Sequence, residues 1–233
     1  MIHSEEMAQA RLEPVLTGAE EPELYLFEDG GLLIGVMRPM TARHLEKMDV
    51  IEKLTDWRNA SMKNFLTNIE GTIPLTIEWV QNVLLKSPSQ MLWLIYDQND
   101  DLVGHLGFKN LTSQSVQLDN AMRGERRIHP ELLVIAGKSL VKWLWQTTPV
   151  MHIEVYVLAD NAPSIMMIRK IGFQSGKRFP LIKRIVNGSI DWTVGKESQP
   201  SPDDCYSLHF FIERSANLLP VPVGSILPRC QIY

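Results

Sequence analysis

Cysteine is nearly absent. Only Cys205 and Cys230 occur in 233 residues, and they lack the paired spacing of a metal-binding cluster. One late disulfide or two reduced thiols remain, and reduced thiols in a cytoplasmic protein suit so cysteine-poor a chain. Long apolar runs are missing too: the longest, Met91 to Tyr96, is far short of the ~20 residues that cross a bilayer. The segment Met1-Ile2-His3-Ser4-Glu5-Glu6 has neither the basic nor the apolar part of a secretion signal. Positive charge is not in excess. A net charge of −4 and a pI near 5.9 give no electrostatic footprint for nucleic acid. Apolar residues make up 45% of the chain, which is enough for one full core.

Residues 1–23 are polar, carry Pro14 and Pro22, and are expected to form a flexible lead-in. A folded domain over 24–213 follows, then a proline-containing tail over 214–233. Leu24–Phe27 and Leu32–Arg38 flank Asp29-Gly30-Gly31, a hairpin turn that needs positive φ. Thr41 opens a helical pattern with apolar residues at Leu45, Met48, Ile51, Leu54 and Trp57, running toward Leu66. Thr76 is expected to cap a second helix containing Ile77, Val80 and Leu84. Strands are predicted at Met91–Asp97, Leu102–Lys109 and Val116–Met122. A helix then runs from Pro130 to about Gln146, a strand over Ile153–Leu158 and a helix over Pro163–Ile171, ended by Gly172. Two late strands are expected within Lys177–Val194 and Tyr206–Ile212. A C-terminal strand able to pair between subunits is compatible with a homodimer.

The run Ile153-Glu154-Val155-Tyr156-Val157, then Asn161-Ala162-Pro163-Ser164, then Gly172-Phe173 resembles the second half of the GCN5-related N-acetyltransferase (GNAT) fold. Trp57-Arg58-Asn59 and Thr76-x-x-Trp79 are similar to signatures of the ribosomal-protein and amino-sugar acetyltransferase branches. Asp119 through Glu125 followed by Pro130-Glu131-Leu132-Leu133 is similar to a nucleotide-linked amino-sugar branch. The resemblance implies an α/β (α+β) fold: a mixed, mostly antiparallel sheet with a splayed parallel strand pair, flanked by helices. It implies acetyl-CoA as acyl donor, a small-molecule primary amine as acceptor, and no metal, nucleic acid or membrane partner.

Coenzyme A carries a pyrophosphate, which a helix N-terminus can receive through its unpaired N–H groups and partial positive charge. The resemblance assigns this role to the stretch before and into the Pro130 helix: Arg126, Arg127, His129, Glu131, Leu132 and Leu133. The family's glycines are missing there, and Glu131 puts a carboxylate where phosphate would sit. The end of the preceding strand, Met122, Arg123 and Gly124, is the implied source of N–H groups for the thioester oxygen. Asn161 and Ser164 are the implied contacts to the pantetheine arm; equally, Asn161 is a helix cap. The position of the family's acid tyrosine holds Ile168, so Tyr206 is the candidate acid, or else an ordinary strand aromatic. The candidate bases for deprotonating an ammonium acceptor are Asp119 first, then His105, with Glu125 expected to pair with a neighbouring arginine. Asp119-Asn120 also suits the bulge that splays such a sheet. The rival readings are a protein N-terminal amine acetyltransferase, and a catalytically silent coenzyme A-binding or scaffold module favoured by the glycine-free loop.

Overall fold

The computed structural model describes residues 12–186 and 189–214. Ten strands form one sheet: β1 (Leu24–Phe27), β2 (Leu33–Pro39), β3 (Thr67–Asn68), β4 (Met91–Asp97), β5 (Leu102–Lys109), β6 (Ser115–Arg123), β7 (His152–Leu158), β8 (Gln174–Val186), β9 (Ser189–Val194) and β10 (Tyr206–Glu213). Their spatial order is β1-β2-β4-β5-β6-β7-β10-β8-β9-β3. The helices are α1 (Glu13–Leu16), α2 (Met48–Ala60), α3 (Ile73–Trp79), α4 (Leu132–Thr147) and α5 (Ala162–Ile171).

Eight of the nine neighbouring pairs run antiparallel, and four of these, β1/β2, β4/β5, β5/β6 and β8/β9, are joined by short turns. The pair β6/β7 is parallel because α4 crosses between the two strands. Its register is brief: Ser115 faces His152, Val116 faces Ile153 and Gln117 faces Glu154, and there the pairing stops. Beyond that point β6 stays on β5, while β7 stays on β10 from His152 to Leu158. Asn120, with φ +51°, marks the departure. It lies where the β5/β6 register slips between His105 and Gly107, a bulge that adds twist and turns β6 away from β7. Asparagine tolerates that left-handed conformation better than most residues.

The core has two parts. On one face α4 and α5 cover Trp93, Phe108, Val116, Ile153, Val155 and Val157, the last three alternating inward along β7. On the other face α2 packs Val50, Ile51, Leu54 and Trp57 against Leu92, Leu94, Tyr96 and Met122.

Several sequence expectations need correction. Leu12 and Val15 are buried in the main core, so the lead-in is anchored at these two residues, while residues 19–21 stay exposed. The long helix toward Leu66 is three pieces: 3-10 turns at Ala42–Glu46 and Met62–Asn64 on either side of α2. The cap of α3 is Thr72, whose hydroxyl accepts from Leu75 N–H at 3.4 Å. Thr76 sits inside that helix, its hydroxyl 2.7 Å from that of Thr55 in a buried contact. The helix after β6 begins at Leu132, two residues past Pro130. The late region holds three strands, because β8 and β9 form a hairpin before β10. Both edges of β10 are occupied, by β7 and β8, which removes it as a strand for pairing between subunits. The expectations on residues 1–11 and 215–233, Cys230 included, lie outside the described residues.

Candidate active site

The gap between β6 and β7 opens into a cavity of about 1100 Å³, lined by Leu118 to Met122 of β6 and Val155 to Leu158 of β7. The N-termini of α4 and α5 close one end, and the segment from Arg58 to Trp79 forms walls at the other. A volume of that size is at the upper end for small-ligand sites, as a long two-ended ligand needs.

At the α4 end, Leu132 N–H donates to His129 O at 3.1 Å and Ile135 N–H to Glu131 O at 2.9 Å. Between them, the N–H groups of Leu133 and Val134 have no acceptor among the described residues, and both residues line the cavity. Two open amides at the positive end of a sixteen-residue helix are what a diphosphate requires. The residues present therefore fit coenzyme A, glycine or no glycine. Glu131 does not oppose it, since its carboxylate is drawn to Lys170 Nζ of α5 at 2.5 Å and does not line the cavity. His129 lines the cavity, accepts from Glu131 N–H at 3.3 Å and lies 3.3 Å from Glu28. Arg126 and Arg127 are exposed and outside the cavity lining, and Leu132 is buried in the core. Arg123 works on its own loop, donating to the carbonyls of Arg126 at 3.0 Å and Ile128 at 3.3 Å.

The expectation for the thioester oxygen changes in one respect. Gly124 N–H already donates to Val103 O at 2.9 Å, and Glu125 N–H to the same oxygen at 3.1 Å. Amides alternate between strand edges, so Arg123 N–H, one residue earlier, points into the gap. Gly124 serves packing instead. A Cβ there would lie 2.1–2.3 Å from the Trp57 ring, so the indole rests directly on the glycine. Gly124→Ala is expected to push Trp57 aside and cost about 1–3 kcal/mol of stability, measurable as a lowered denaturation midpoint with a shift in tryptophan fluorescence.

Asn161 satisfies both of its readings. Its Oδ1 accepts from Ser164 N–H at 3.2 Å, capping α5, and the residue lines the cavity with its amide NH₂ free of acceptors among the described residues. Ser164 and Ile168 line the same wall. Gly172, at φ +116°, ends the helix in the left-handed conformation.

The Trp57-Arg58-Asn59 motif supports the opposite wall, which Arg58 itself lines. Trp57 packs on Gly124. Arg58 lies over the Phe65 ring at 4.9 Å and donates to Thr67 O at 3.2 Å. Asn59 donates to Gly71 O at 2.9 Å and accepts from Gly71 N–H at 2.7 Å. Arg58 and Asn59 thus tie α2 to the loop that carries Phe65, Thr67 and Gly71 along the cavity, while Trp57 ties it to the end of β6.

Of the candidate acid/base groups, His105 and Asp119 line the cavity and Tyr206 does not. Tyr206 sits beyond the end of β7, its ring 3.5 Å under the Arg178 guanidinium, so its role is packing. Asp119 is ion-paired with Lys109 at 2.9 Å. Glu125 is exposed and forms no ion pair with the neighbouring arginines among the described residues. His105 is buried. Its Nδ1 lies 2.7 Å from Asn120 O, and since a carbonyl only accepts, the proton is on Nδ1 and Nε2 keeps its lone pair. Burial pushes its pKa down to about 4, partly offset by the Asn120 carbonyl and by Asp119. Sequence reasoning missed Tyr156, which lines the cavity from β7 and whose hydroxyl pKa is raised by burial and, in addition, by the nearby Glu154 carboxylate. The available signal was alternation: Tyr156 shares a face with His152 and Glu154, opposite Ile153, Val155 and Val157.

Residues 36–174 match the sequence model of the Acetyltransferase (GNAT) domain. No curated protein matches the chain in sequence. Among solved structures, a probable GNAT-family acetyltransferase from Chromobacterium violaceum superimposes with a TM-score of 0.58 at 15% identity, over 82% of this chain and 87% of that one. The ribosomal-protein-S5-alanine acetyltransferase from Vibrio fischeri does so at 0.59 and 12%, over 80% and 96%. The spermidine N-acetyltransferase from Vibrio cholerae, solved with CoA and spermine, does so at 0.53 and 9%, over 76% and 94%.

Proposed function

The chain belongs to the GNAT family of acetyltransferases, and from that membership we propose that it moves the acetyl group of acetyl-CoA onto the primary amine of an amino-sugar, carried on a nucleotide. The observation that carries the donor half is the parting of β6 from β7 above two open amides of Leu133 and Val134. The diphosphate sits on those amides, the pantetheine arm follows the gap past Asn161, and the thioester carbonyl lies near Arg123 N–H. The acceptor half rests on the opposite wall, where Phe65 and Trp79 offer ring faces for a sugar or base, and Arg58 and Lys63 offer charge for a phosphate.

The chemistry is a direct transfer. The amine nitrogen attacks the thioester carbonyl, the C–S bond breaks, and coenzyme A leaves as thiolate to be protonated by water. His105 Nε2, through an intervening water, takes the proton the amine must lose. Asp119, ion-paired to Lys109, tunes the local charge instead of accepting the proton. Binding both partners side by side supplies most of the rate.

The test is calorimetric titration with acetyl-CoA, then turnover on three amines: a nucleotide-linked amino-sugar, a ribosomal-protein N-terminal peptide and a polyamine. Binding with preferred turnover of the amino-sugar is the expected result. Preference for the peptide or polyamine overturns the acceptor assignment alone, and failure to bind acetyl-CoA overturns the donor site.

A further inference from the structure

The sheet face away from α4 carries three metal-type donors that the acetyl-transfer reaction does not use. His152 and Glu154 are neighbours on one face of β7, two residues apart, and His209 stands across from them on β10, near the Tyr156–Glu154 register positions. One donor atom from each of the three lies within 4.8 Å of the others. His209 Nε2 is 3.1 Å from Glu154 Oε2, close to the ~3.3 Å that separates two donors sharing one tetrahedral ion at bonds of about 2.0–2.1 Å. The His152 nitrogen, within 4.8 Å of both, joins them after a side-chain adjustment of at most about 1.5 Å.

His209 is held in this position from several sides. Its ring centroid lies 5.0 Å from Tyr156, 6.2 Å from Phe179 and 5.9 Å from Phe211. On β8, Gly176 leaves the space the imidazole fills, since a Cβ there would come within 2.5 Å of His209 Nδ1. An imidazole fixed on one side with its far nitrogen aimed at a carboxylate is a preorganised donor pair. All three residues are half-buried, so an ion can enter from the face while aromatic rings exclude part of the water around it.

We propose that His152, Glu154 and His209 form a binding site for one zinc-class divalent ion, on the sheet face adjoining the acceptor end of the cavity. Two imidazoles and one carboxylate select zinc, cobalt or nickel over magnesium. Three protein donors leave a fourth position to water or an incoming ligand. The site adjoins the cavity through Tyr156, which lines the cavity and whose ring packs 5.0 Å from that of His209. The inference stands apart from acetyl transfer.

The experiment uses the full chain without a polyhistidine tag, stripped by chelator. Zinc is titrated calorimetrically and cobalt by visible absorption. One equivalent binding at micromolar concentration or tighter, an intense cobalt band, and no binding of magnesium are expected. His152→Ala, Glu154→Gln and His209→Asn should each weaken zinc at least tenfold, with circular dichroism confirming the fold. Zinc should raise the melting temperature of the parent and not of the variants. No saturable zinc binding at micromolar concentration, or binding unchanged in all three folded variants, overturns the site.

Discussion

Leu133→Pro is expected to weaken acetyl-CoA binding ten- to a hundredfold while the protein stays folded. The reason is one hydrogen atom. Leu133 is the second residue of α4, where the N–H has no acceptor among the described residues, and the first turn is the part of a helix where proline is best tolerated. Proline removes the donor without breaking an intrahelical bond. A hydrogen bond to a charged group is worth about 1.5–3 kcal/mol, and the helix field strengthens it at this position. Leu133→Ala is the control, because it trims the same side chain and keeps the N–H. Calorimetric dissociation constants for the two variants isolate the amide; equal affinities would mean that the diphosphate does not meet this helix end.

That helix end also shows what local sequence could and could not reveal. The cap at Asn161, the proline at 163 and the stop at Gly172 are written in adjacent residues, so α5 was legible almost to the residue. The strand order around β4 to β7 was legible for a similar reason: each strand is an apolar run bounded by turn residues. Thr76 misled because it too precedes an apolar pattern; the stronger signal was Thr72 with Pro74 in the first turn behind it. The β8/β9 hairpin stayed hidden because Lys177–Val194 reads as one strand unless Asn187-Gly188, a hairpin-turn pair within it, is given weight; Pro180 does not break β8, where it pairs with Tyr206.

The site residues divide along the same line. Glu131 read as an obstacle because its partner, Lys170, is thirty-nine positions away, and only the packing of α5 beside α4 brings them together. Trp57-Arg58-Asn59 read as a signature without a mechanism, since Gly124, Thr67 and Gly71, the groups it engages, are set by tertiary contacts. Tyr206 and Tyr156 are both strand tyrosines, and alternation, which puts Tyr156 opposite the core valines, does not say which of the two reaches the cavity. The splay of β6 from β7 decides between them, leaving one at the cavity wall and the other past its rim.

His105→Gln is expected to lower kcat about a hundredfold with acetyl-CoA affinity unchanged, at the lower end for loss of a positioned general base. Glutamine is close in length, can still donate to Asn120 O, and has no lone pair of comparable basicity to replace Nε2. The same substitution has a second readout that a packing role alone would not move. In the unfolded chain histidine titrates near 6.5, whereas in the fold His105 titrates at about 4. Between those values the unfolded state binds a proton that the native state refuses, so stability is fully present above about pH 6.5 and falls as pH drops toward 4. A gap of some 2.5 units corresponds to about 3 kcal/mol at the acid end. His105→Gln should remove that part of the acid slope in a series of melting temperatures from pH 7 to 4. Because the parent imidazole is unprotonated across this range until close to pH 4, loss of turnover on mild acidification should follow protonation of the acceptor amine and not of His105. A flattened acid slope with undiminished kcat would establish the buried imidazole and remove it as the base, leaving Asp119, freed from Lys109, to take the proton.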